Sequence, residues 1–160
     1  MLSAAPAFAD HASDNAAEIA RLAYRLASTA ENLEQASERD AGGWDDFDRL
    51  ESTAERGAIG LLDHRRDNLQ QLYRTSRSLH LSASDLYRSS RGRFGPNSPQ
   101  DHRGDAIRGS YARVRQDLDQ VRYVYDRLRG QCSQQVAYLV GDVLRAYDDL
   151  EWAVYGRGRI

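Results

Sequence analysis

Apolar and small side chains recur along this 160-residue chain in alternating steps of three and four, and that spacing constrains the fold more than any other feature. From about Ser13 to Glu38 the positions are Ala16, Ile19, Ala23, Leu26, Ala30, Leu33 and Ser37. Such steps keep one face of an α-helix apolar, and that face needs other helices to cover it. A second run, Leu62, Leu69, Leu72, Ser76, Leu79, Ala83, Leu86 and Ser90, predicts a long helix from about Leu61 to Ser90. Ile107, Tyr111, Val114, Leu118, Val121, Tyr125 and Leu128 form a third run. Val136, Val140, Val143, Tyr147, Leu150 and Val154 form a fourth, which ends at Gly156.

The punctuation between these runs agrees with helix boundaries. Ser13 with Asp14 offers an N-cap, and Ala41-Gly42-Gly43 ends the first helix because glycine tolerates the left-handed cap conformation. Residues 92–100, GRFGPNSPQ, hold glycines and prolines that no helix interior accepts and predict the main loop. Ser98 would cap the third helix with Pro99 in its first turn, Gly130 would end it, and Ser133 would cap the fourth. The fold expected is therefore all-α, an antiparallel up-down-up-down four-helix bundle. A helical hairpin that dimerises into four helices is the alternative.

Between helices 1 and 2 an extra short helix or kinked segment is expected. Phe47, Leu50 and Ala54 share one face of an acidic stretch that starts near Trp44. Gly57 and Gly60 then follow, and each costs about 1 kcal/mol against alanine in a helix interior, which predicts a kink or break there. The hexapeptide Leu72-Tyr73-Arg74-Thr75-Ser76-Arg77 returns as Leu86-Tyr87-Arg88-Ser89-Ser90-Arg91, fourteen residues on and on the same face. Heptad periodicity accounts for that echo.

One bundle domain over residues 10–156 accommodates all four runs, with 1–9 as a separate N-terminal piece and 157–160 as a flexible C-terminus. The N-terminal piece carries Ala7-Phe8-Ala9 before Asp10, the small-x-small pattern of a signal-peptidase site. It predicts an exported protein, periplasmic or secreted, whose signal peptide has left only its tail. A frayed alanine-rich terminus would look the same. The single cysteine, Cys132, cannot form an intrachain disulfide and says nothing of the compartment.

Chemistry-bearing patterns are few. No glutamate is followed by histidine three residues later, as di-iron bundles require, and there is no Cys-x-x-Cys-His for covalent haem. No Gly-x-Ser-x-Gly elbow or phosphate-binding loop occurs. These patterns predict neither an enzyme nor a cofactor. His64 and Asp67 lie on one helical face and are weak metal-ligand candidates, because no second imidazole or thiolate sits at ligand spacing.

Charge carries the functional colour. All 22 cationic side chains are arginine, as a GC-rich genome would give; selection for the planar guanidinium fork is the alternative. Residues 1–63 hold 5 arginines against 13 acids, a net −8, whereas residues 64–129 hold 14 against 7, a net +7. Acidic and basic helices lying side by side would pair internally. Some arginines nevertheless crowd the hairpin between helices 2 and 3. Tyr87, Arg88, Arg91, Arg93, Phe94, His102, Arg103 and Arg108 form a candidate patch for an anionic partner, because arginine among aromatics grips carboxylates and phosphates and stacks on planar surfaces. The overall pI near 6.1 argues against nucleic acid. The function expected is a non-catalytic envelope protein acting through protein or anionic-ligand contacts. A metal- or small-ligand-binding bundle and a structural or oligomerising bundle are the alternatives, and a homodimer is among the partnerships expected.

Overall fold

In the computed structural model of the chain, the described residues are 15–42, 56–92, 100–128 and 130–155, with the side chains of 56–63 and 100–102 excepted. They form four helices: α1 (Ala16–Gly42), α2 (Arg56–Arg91), α3 (Gln100–Leu128) and α4 (Gln134–Tyr155). The seam positions named from spacing turn inward. In α1 all seven, from Ala16 to Ser37, are buried. Leu69 to Ser90 in α2, Ile107 to Val121 in α3 and Val136 to Val154 in α4 are buried at theirs. Tyr125 is only partly covered.

Side-chain contacts fix the direction of each helix. Tyr24 meets Tyr87 while Glu34 meets His80, so α2 runs opposite to α1. Ser78 meets Asp117 and Ser89 meets Ser110, so α3 reverses again. Arg25 meets Asp149 and Asp40 meets Ser133, so α4 is antiparallel to α1. The chain is an up-down-up-down four-helix bundle in which α1 lies close against α2 and α4, and α2 against α3. Among the described residues no helix is long and apolar enough to cross a membrane.

Helix ends follow capping chemistry. Ser133 Oγ accepts from the Val136 N–H at 3.2 Å, the N-cap bond expected of it. The Ser133 N–H in turn donates to Asp40 Oδ2 at 2.9 Å, which ties the last turn of α1 to the start of α4. Gly130 has φ of +82°, a left-handed conformation that a side chain resists, and it ends α3 as its position predicts. At the start of α1 the Ile19 N–H bonds the Asn15 carbonyl at 2.9 Å, which makes Asn15 the entry residue. The Asn15 side chain donates across the bundle to the Ala153 carbonyl of α4.

Two expectations change. No break occurs at Gly57–Gly60, because α2 already begins at Arg56 and runs unbroken through both glycines. Gly57 falls in the first turn, where the helix has unsatisfied N–H groups in any case and a glycine costs little. Likewise α1 continues one turn beyond Glu38, to Gly42. Ser13, Ser98, Pro99, the segment from Trp44 to Glu55, and both chain termini lie outside the described residues.

Candidate functional site

The last three turns of α2 carry the part of the arginine patch that the structure brings together. Tyr87 is half-buried against α1, where its ring meets Tyr24 at 5.6 Å and a 52° tilt. Arg91 lies over the Tyr87 ring, 5.4 Å from its centroid, and also donates to the Tyr87 hydroxyl. This pairing follows from sequence: tyrosine four residues before arginine puts both on one helical line. The same spacing stacks Arg127 on Tyr123 and brings Arg77 to the Tyr73 hydroxyl. Arg88 extends into solvent, 74% exposed, with Asp85 as an ion-pair partner one turn back at 2.9 Å. An exposed pair of that kind is worth about 0–1 kcal/mol and yields readily to a better partner.

Arg103 plays a different part. Its guanidinium donates to the Ser90 carbonyl at 2.6 Å, satisfying one of the carbonyls that the end of α2 leaves open. It locks the first turn of α3 to the last turn of α2. Arg108 stands further along α3 with Asp105 3.9 Å away. His102 belongs to the first turn of α3, and Arg93 and Phe94 lie outside the described residues.

Beside Tyr87 and Arg88 a half-open groove of about 270 Å³ runs between α1 and α2. Its α1 wall is Tyr24, Ala27, Ser28 and Glu31, and its α2 wall is His80, Ser84, Tyr87 and Arg88. The α1 residues were not singled out from sequence, although a signal exists. Tyr24 and Glu31 are one heptad apart, as are His80 and Tyr87, so each pair forms a row along the flank of its seam. Small residues at Ala27, Ser28 and Ser84 leave the space between the rows unfilled. Deeper along the same seam Glu34 sits 3.3 Å from His80 and 3.9 Å from Arg77, which joins acidic α1 to basic α2.

Charge pairing is more local than the two oppositely charged halves suggest. Arg21, Arg88, Arg108, Arg122 and Arg145 each face an acid three residues earlier on their own helix. Across helices, Arg25 meets Asp149 at 3.0 Å and Glu34 meets α2. The Arg21 partner holds the Glu18 carboxyl below its ordinary range through a side-chain hydrogen bond.

A second polar cluster lies inside the bundle, between α3 and α4. Tyr111 and Tyr147 share a buried hydroxyl–hydroxyl bond of 2.7 Å, with Glu151 Oε1 3.3 Å from the Tyr111 oxygen. Their rings stack at 6.0 Å, and Tyr155 meets Tyr111 edge-on at 5.6 Å. Burial pushes the Tyr111 phenol well above its ordinary value and raises that of Tyr147 as well. Both stay protonated, which suits them to hold the seam rather than to act as bases. Burial also raises the half-covered Cys132 thiol.

His64 and Asp67 are exposed, and among the described residues no group of three or more histidine, cysteine or carboxylate side chains gathers to hold a metal ion. Comparison of the chain with protein-family models, curated proteins and solved structures finds no match.

Proposed function

We propose that the protein is a non-catalytic binding protein of the bacterial envelope, periplasmic or secreted, that docks an acidic segment of another protein on the α1–α2 groove and its arginine rim. The observation that carries this reading is the stack of Arg91 on Tyr87, beside exposed Arg88, at the edge of an unfilled groove. The aromatic ring fixes the guanidinium plane, so less side-chain entropy is lost when a carboxylate binds it. Ser28, Ser84 and Glu31 within the groove offer hydroxyls and an acceptor that match the N–H and C=O groups of a peptide. A groove between two helices admits an extended segment but not a planar membrane surface, which favours the peptide. The Ala7-Phe8-Ala9 pattern supports export.

Labelled poly-glutamate tests the reading. It should bind the protein at low salt and be released as salt rises, and the triple variant R88S/R91S/R93S should bind about tenfold more weakly. Binding unchanged in that variant, or bound phosphatidylglycerol vesicles with no affinity for poly-glutamate, would reject it.

A further inference from the structure

Helix α4 carries two seams. Opposite the buried one, Tyr138, Gly141, Arg145, Asp148 and Trp152 follow in steps of three and four along the outer face, and Tyr155, whose ring also meets Tyr111 of α3, continues the line at its flank. Tyr138 is 64% and Trp152 52% exposed, a large apolar area for a folded surface to leave in water. The stripe is symmetric in spacing, and its mirrored positions are complementary in charge or size. About a centre between Ala146 and Tyr147, Arg145 mirrors Asp148, Gly141 mirrors Trp152 and Tyr138 mirrors Tyr155.

We infer that this stripe is the interface of a two-fold symmetric homodimer in which α4 packs antiparallel against α4 of a second copy. In an isologous interface each residue meets its mirror position on the other chain. Arg145 then faces Asp148 of the second copy twice over, opposite charges on both sides of the axis. Asp148 has no ion pair among the described residues of its own chain, while Arg145 reaches only Asp142 on its own helix. Gly141 receives the indole of the second copy's Trp152. Among the described residues nothing calls for glycine there: a Cβ would meet only the tip of Arg145, at 3.8 Å, and glycine in a helix interior costs about 1 kcal/mol. A flat backbone under a partner's ring supplies the reason. The acids that flank the stripe do not oppose the pairing, since Asp142 is held by Arg145 and Asp149 by Arg25.

Sedimentation equilibrium from micromolar to millimolar protein tests the dimer, with circular dichroism to confirm that each variant is folded. All three positions are exposed or half-exposed and stand clear of the core. The wild type should dimerise. R145D or D148R alone places like charges at both symmetric contacts and should weaken dimerisation roughly tenfold to hundredfold. The double swap R145D/D148R should restore it to within about threefold, and Gly141→Gln should weaken it about tenfold by filling the Trp152 seat. A monomer at every concentration overturns the inference, as does a dimer that ignores the single swaps or fails to recover with the double.

Discussion

The two sides of the bundle are built on opposite principles. Where α1 meets its neighbours the buried residues are largely alanine, namely Ala16, Ala20, Ala23, Ala27, Ala30 and Ala36, and the backbones come close. Where α3 faces α4 the backbones stand further apart, and Tyr111, Tyr147 and Leu118 reach into the space. Small side chains allow close helix approach; bulky ones hold helices off and must then pack tightly themselves. A tyrosine-filled seam also brings phenol hydroxyls inside, so this side needs a buried hydrogen bond between side chains and gains a dependence on pH. The groove belongs to the first side. There the short residues Ala27, Ser28 and Ser84 stop short of the surface between the Tyr24 and Tyr87 rings.

Substitutions of opposite sense should separate the two sides. Leu118→Ala removes filling from the spaced seam and should cost about 2–5 kcal/mol in denaturant unfolding, because the held-apart helices cannot collapse onto the void. In the close seam, adding atoms does the harm. Ala30→Leu should cost about 1–3 kcal/mol in the same measurement, by forcing α1 away from its neighbours. If Ala30→Leu proved neutral, α1 would not be as closely packed as its alanines indicate.

The phenol pair gives a sharper contrast. A tyrosine is uncharged when protonated, so a folded-state value above the ordinary one near 10 stabilises the fold fully below about pH 10. As pH rises further the unfolded chain loses the proton first, and stability should fall by about 1.4 kcal/mol per pH unit for each shifted group. Tyr111→Phe should cost about 1–2 kcal/mol at neutral pH, by leaving Tyr147 without its partner, and should flatten the alkaline slope. An unchanged slope would mean that neither phenol is sealed from water.

Ser76 offers the smallest effect. Its hydroxyl is buried with no hydrogen-bond partner among the described residues, whereas Ser37 and Ser90 donate to carbonyls four residues back. Ser76→Ala should therefore raise stability by about 1 kcal/mol, read as a higher urea midpoint with the slope unchanged.

Much of this architecture is legible in the sequence because burial obeys heptad spacing, and spacing survives without tertiary information. The seams of α1, α3 and α4, the Ser133 cap and the Gly130 stop are all local signals. Gly57 and Gly60 mislead because propensity charges them as interior residues, whereas Gly57 enters the helix in its first turn. The site is less legible. Tyr87, Arg88 and Arg91 are adjacent in sequence and visible as a cluster, yet the other wall of the groove comes from α1, more than fifty residues away. Only the pairing of α1 with α2 brings Tyr24 to Tyr87. Arg103 reads as one more cation in sequence and becomes a helix cap once α2 and α3 are adjacent.

Amide chemical shifts of the labelled protein during titration with poly-glutamate test the docking account most directly. The account predicts changes that centre on Tyr24, Ser28, Ser84, Tyr87 and Arg88 and fade with added salt. Changes confined to the outer face of α3 or α4, or none at all, would contradict it.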